Sequence, residues 1–324
     1  MRIHRLIASA AVTALMLATA ACGGDSLESS SPSTDTGSGD ATTGSTDKGS
    51  VVVGGQDFTE SQVLAAIYQK LLENQGYTVQ TKLVTTRDVY LPQLSSGGVD
   101  IVPDYLAGIT DYLNTDKNGP DAPLVSSNDV DKTLAALEPL AEAKGISILP
   151  PSDATDQNAF FVTQDFADQN SLTTLSDLSA LGDPIKLGAP PDCEGRADCE
   201  GGLTEVYGLK ITEIVPLDFA SAQVKDAVTN GEVTMGETGT TDGTLSDAGL
   251  VLLEDDKGIQ PAQNLTPAVN SDFLKANPDL EDLFNQLSAA LTTDDLAAMN
   301  LKVDAERQKA TDVAEQFLQD KGLI

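Results

Sequence analysis

Residues 51–84 read VVVGGQDFTESQVLAAIYQKLLENQGYTVQTKLV. The three valines predict a short buried strand, and Gly54-Gly55 a turn out of it. Thr59 then caps a helix, with Gln62 three residues on completing a capping-box pattern. Val63, Leu64, Ile67, Leu71 and Leu72 recur at helical spacing, Gly76 stops the helix, and TVQTKLV alternates as a second strand. Strand, loop, helix, strand is the βαβ unit of an α/β sheet.

The pattern continues toward the C-terminus. VDIVP (99–103) reads as a strand, Val130 to Lys144 as a helix with Leu134, Leu137 and Leu140 inward, and ISILP (146–150) as a strand. FFVT (160–163), IKLG (185–188), EIVPL (213–217), VTMG (233–236) and LVLLEDD (250–256) supply further strands, and SLTTLSDLSAL and SAQVKDAVTNG read as capped helices. From Pro278 onward the tail is helical in three pieces. Two irregular crossings, PPSDATDQN (150–158) and DDKGIQPAQN (255–264), separate an outer α/β block from an inner one. They predict a first lobe of 51–152 plus 257–324, a second lobe of 153–256, and a ligand cleft between them that closes by bending at the crossings.

On the N-terminal side, MRIHR is basic and IASAAVTALMLATAA is apolar, and the run ends at Cys22. This is a secretory signal, residues 1–21, with Cys22 placed for lipidation. Its apolar run of about 16 residues is short for a spanning helix of ~20. Residues 22–50 are Gly, Ser, Thr and Asp with almost nothing apolar, a lipidated flexible tether. The expected location is the extracytoplasmic face of the cell membrane, held through lipid only.

Cleavage leaves Cys193 and Cys199 as the remaining thiol pair, and export makes a disulfide their natural state. The single histidine, His4, leaves with the signal, so the mature chain lacks the base of a Ser-His-Asp or Cys-His mechanism and any His-rich metal site. A net charge of −31, which becomes −33 when Arg2 and Arg5 are removed, argues against nucleic-acid partners. NTDKNG (114–119) begins like a calcium loop but puts Val125 at its twelfth position, so it reads as a turn. No metal and no cofactor are expected.

GGQDFTESQVLAAIYQKLLENQGY, SSGGVDIVPDYLAG, VYGL and TNGEVTMGETGTTDGTLSDAGLVLLEDDKGIQPAQNLTPAVN, in this order, resemble the substrate-binding lipoproteins of osmoprotectant ABC importers for glycine betaine, carnitine and choline. The resemblance covers nearly all of 51–324. It implies the two-lobe α/β fold of type II periplasmic binding proteins, an ABC permease as partner, and a small zwitterionic or cationic solute. A monomer is expected. The family meets quaternary ammonium heads with aromatic rings. PDYLAG puts Tyr105 at such a position, whereas Asn158 stands roughly where a cage tyrosine is common, and the chain has no tryptophan.

The resemblance also places the clamped loop PPDCEGRADCE (190–200): Asp192 and Arg196 fit the spacing of an acid and a carboxylate-binding arginine. A solvated arginine on a stability clamp is the alternative. Gln56, before the helix, reads as a ligand contact or an ordinary turn residue. Arg87, after a strand, reads equally as a ligand contact or a surface charge. Thr240 and Asp242 sit in the TTDG turn, as contacts or as structural caps. The functional expectation is a non-enzymatic solute receptor for a quaternary amine. The rivals are a receptor for ectoine, a polyol or an amino acid, and an extracytoplasmic enzyme on the same scaffold.

Overall fold

The computed structural model describes residues 48–324; the signal, Cys22 and the tether up to residue 47 lie outside the described residues. Ten strands run in chain order: β1 (Ser50–Gln56), β2 (Thr78–Val84), β3 (Ile101–Tyr105), β4 (Ile146–Ile148), β5 (Asn158–Thr163), β6 (Pro184–Ala189), β7 (Lys210–Pro216), β8 (Met235–Gly239), β9 (Leu250–Leu253) and β10 (Leu265–Asn270). They form two five-stranded sheets, ordered β2-β1-β3-β10-β4 and β7-β6-β8-β5-β9.

The two sheets are built alike. In each, three parallel strands are followed by one antiparallel strand, β10 beside β3 and β5 beside β8. Both antiparallel strands come directly after the chain has passed from one sheet to the other. The passing segments also pair with each other. Thr155 and Asn264 form an isolated antiparallel bridge, Asp156 N–H donates to Gln263 O, and Leu265 N–H donates to Ala154 O.

The opening βαβ unit is present with two corrections. Gly54 and Gly55 do not turn the chain but lie inside β1, which runs on to Gln56. At Gly54 a Cβ would come within 2.7 Å of Val99, so the strand needs glycine there for close packing. Nor does Thr59 cap the helix. That position belongs to Phe58, and the hydroxyl of Thr59 donates to Asp304 at 2.7 Å while Gln62 turns back to Asp57. The helix thus starts one residue earlier than expected, and the threonine hydroxyl makes a tertiary bond instead. The helix Thr59–Asn74 buries Val63, Leu64, Ile67, Tyr68, Leu71 and Leu72 against Phe284, Leu287 and Leu318 of the C-terminal helices. At about 1.5–3 kcal/mol for each large apolar side chain fully buried, this contact anchors the tail to the first sheet.

The three tail helices are Asp279–Ala290, Thr293–Asp304 and Ala310–Asp320. Several elements are absent from the sequence reading, two helices and a strand of the first sheet among them. Arg87–Ser96 and Leu106–Asn118 are helices, the first carrying Pro92 and the second ending in the stretch read as a turn. The start of the second has no side-chain cap. Its first N–H groups are met from the second crossing, by Asn264 O and Ala262 O. β10 follows the second crossing as a strand between β3 and β4, and it sets Pro267 opposite Pro103.

Candidate functional site

A cleft of about 430 Å³ lies where four segments meet: the start of the Thr59–Asn74 helix, the first crossing, the loop after β8 and the Thr293–Asp304 helix. Phe58 and Phe219 stand on its wall, 39% and 45% exposed, which is unusual for phenyl rings in a folded chain. Glu60, Asp156 and Asn300 also line it. Tyr105 lies behind them, nearly buried. Its ring stacks on Phe58 with centroids 6.4 Å apart, and its hydroxyl donates to Glu60.

The polar wiring of this cleft is specific. Glu60 accepts from Tyr105 on Oε1 and from Asn300 Nδ2 on Oε2 at 2.7 Å. Asn300 Nδ2 also reaches Thr241 O, so both of its contacts are acceptors and the amide orientation follows. Asp156 accepts from Thr241 Oγ1 at 3.2 Å. Burial, and then the nearby Glu60 charge, push the Asp156 carboxyl up to about 7.

Asp242 is on the same wall. Burial raises its carboxyl, but hydrogen bonds from Lys225, Thr238 and Thr244 outweigh that and leave it below its ordinary value. The TTDG turn that carries it rests on the tail, where a Cβ at Gly243 would stand 2.2 Å from Ala297 O. Only glycine lets the turn approach that helix so closely.

Arg196 is elsewhere. It lines a second cleft of about 490 Å³ with Gly108, Asp111, Asn128, Asp198 and Gln263. Its guanidinium forks onto Asp198 at 2.9 and 2.7 Å and touches Asp192 at 3.3 Å. Asn158 Nδ2 donates to the same Asp198. Asp192, Arg196 and Asn158 are therefore linked, through an aspartate that the sequence reading passed over. Tyr105 backs the first cleft through Phe58 and Glu60, and Arg196 lines the second.

Cys193 and Cys199 form a disulfide beneath this loop, and both are fully buried. Glu237 lies beside them, 1% exposed, with Oε2 unpartnered. Burial pushes its carboxyl up to about 7; Arg196 opposes this, and Asp198 and Asp192 add to it. Among the described residues, one set of three thiol or acid groups lies close enough to share a metal ion. It is Cys193, Cys199 and Glu237, and the two sulfurs are bonded to each other.

The remaining candidates have partners within the chain. Arg87 is held by Asp104 at 2.9 Å; burial works against its charge, and Asp104 more than restores it. Tyr90 donates to the other oxygen of Asp104. Gln56 makes one long bond to Thr85 O, 3.4 Å. Thr240 knits the first crossing to β8 through Thr155 O and the N–H of Gln157.

Residues 49–320 match the family described as the substrate binding domain of ABC-type glycine betaine transport systems, OpuAC. The chain belongs to this family. It is 28% identical to a glycine-betaine-binding protein of Pseudomonas aeruginosa, over 84% of this chain and 88% of that one. With the glycine betaine-binding protein YehZ of Escherichia coli it shares 29% identity over 84% and 90%. The solved apo YehZ structure superimposes with a TM-score of 0.73 at 26% identity, covering 85% of this chain and 99% of that one. A glycine betaine/carnitine/choline ABC transporter structure, at 22% identity and TM-score 0.71, shares the fold.

The OpuAC fold is the type II periplasmic-binding-protein architecture expected from the sequence. OpuAC domains are solute-binding parts of importers and not an enzyme family. No helix among the described residues is long and apolar enough to cross a membrane.

Phe58, Glu60, Asp156, Phe219 and Asn300 were not singled out from sequence. By sequence Phe58 and Glu60 belong to a helix start, and Asp156 to a crossing. Phe219, an aromatic in the loop between β7 and the Ala222–Thr229 helix, was the one available signal.

Proposed function

We propose that this chain is the extracytoplasmic solute receptor of an ABC importer, and that it captures a quaternary-amine osmoprotectant in the cleft between Phe58 and Phe219 for delivery to its permease. The carrying observation is an OpuAC domain whose cleft combines exposed phenyl faces with carboxylates. A cation without N–H donors is attracted to the negative face of an aromatic ring and by nearby acids.

The two sheets act as lobes, 51–152 with 257–324 and 153–256, hinged at the paired crossings. The ligand favours the closed form because it touches both lobes there. Phe58 and Glu60 come from one side and Phe219 from the other. Cys22 carries lipid that holds the receptor at the membrane face as a monomer.

Isothermal titration with glycine betaine, choline, carnitine, ectoine, polyols and amino acids tests the reading. One saturable quaternary-amine ligand, returned unchanged, is the expected result, and a polyol or amino acid as the only ligand overturns it. For the anchor, Cys22→Ala should release the protein from membranes to the medium.

A further inference from the structure

The wall of the Phe58–Phe219 cleft is unevenly charged. Glu60 and Asp156 face it, with Asp304 at its rim, and Lys225 is the one basic side chain among its lining residues. Lys225 is already spent, 2.7 Å from Asp242 and donating to Thr244 Oγ1. A carboxylate entering here would meet two acids and no uncommitted cation. Stripped of water, it would pay the full cost of an unpaired buried charge or have to break the Lys225–Asp242 pair.

A second observation is independent of charge. Asn300, 8% exposed, is on the same wall, and its Oδ1 has no partner. Its amide nitrogen is fixed by two acceptors, so the oxygen cannot be relieved by flipping the group. A buried acceptor left unmet is costly, and a ligand O–H or N–H that reaches it when the lobes close would satisfy it.

Resting on the quaternary-amine reading, we infer that this cleft selects a net-cationic amine that carries a hydroxyl or N–H donor and no carboxylate. Such a solute sets its ammonium head between the phenyl faces and the Glu60–Asp156 pair, with its donor toward Asn300. Zwitterionic betaines are disfavoured by the same acids, which act as the repulsive element that specificity requires.

Calorimetric titration of the mature chain at pH 8 with choline, tetramethylammonium and glycine betaine tests this. Choline should bind at least tenfold tighter than glycine betaine and several-fold tighter than tetramethylammonium, which has the cation but no donor. Asp156→Asn and, separately, Glu60→Gln should each weaken choline about tenfold and narrow its advantage over the betaine. The wild-type ligand series stands even if a variant fails to fold. Glycine betaine binding as tightly as choline overturns the inference and leaves the quaternary-amine reading intact. Tetramethylammonium matching choline overturns the donor requirement, and binding of none of the three overturns both the inference and the reading beneath it.

Discussion

The hydroxyl of Tyr105 donates to the carboxylate of Glu60, a residue 45 positions earlier, and Phe58 stacks on the tyrosine ring. The tyrosine thus holds the acid and the phenyl that face the cleft. Tyr105→Phe keeps the ring and removes the donor. Chemical denaturation should show a loss of about 1–3 kcal/mol, the cost of a buried acceptor deprived of its partner. An unchanged midpoint would leave the tyrosine as packing alone.

Asp156 and Glu237 make stability depend on pH. Each keeps its proton to about pH 7 in the folded chain, against ordinary values of 3.8 and 4.5. Between those limits the folded state binds more protons than the unfolded one, so stability falls as pH rises from about 4 to about 7. Asp242 acts oppositely, because its depressed carboxyl contributes stability that is lost as pH falls through its folded value. Glu237→Gln should therefore raise thermal stability at pH 8, by about 1–3 kcal/mol, and change it little at pH 4. Equal shifts at both pH values would contradict the assignment.

The same titration reaches the ligand. A cation beside Asp156, which faces Glu60 and Thr241, favours the ionised acid. Affinity for choline should rise with pH through about 7 and level off above it. Calorimetry at pH 6, 7 and 8 measures this, and a flat profile would count against the Asp156 contact.

Arg196 is held by Asp198 and Asp192 and lines a different cleft from Phe58. Arg196→Ala should cost roughly 1 kcal/mol of stability, since the pair is partly exposed. Ligand affinity should stay within about twofold. A loss of tenfold or more would return to the arginine the ligand-carboxylate role that its sequence position suggested.

Removing the Cys193–Cys199 bond by a double serine substitution opens a loop of sequence separation six. The chain-entropy account puts the loss at about 2 kcal/mol. Denaturant midpoints of the oxidised wild type and the variant should differ accordingly, and coincident midpoints would reduce the bond to a passive link.

The sequence alone determined the periodic part of the protein. The βαβ opening, the strands from 158 to 253 and the three tail helices follow from local alternation and helical spacing, which neighbouring residues encode among themselves. The order of family motifs likewise carried the solute-receptor reading, and the isolated cysteine pair pointed to the bond that the structure contains. Tertiary structure decided the rest. β10 is a strand because β3 and β4 hold its register on both sides, despite Pro267. The helix after Tyr105 starts where it does because carbonyls of the second crossing meet its first N–H groups. The cleft was hidden for the same reason. Glu60 and Asn300 are 240 positions apart, and their bond exists only after the tail packs on the opening helix. Short-range pattern encodes which face of an element is buried, but which distant polar groups converge there is set by how the faces dock.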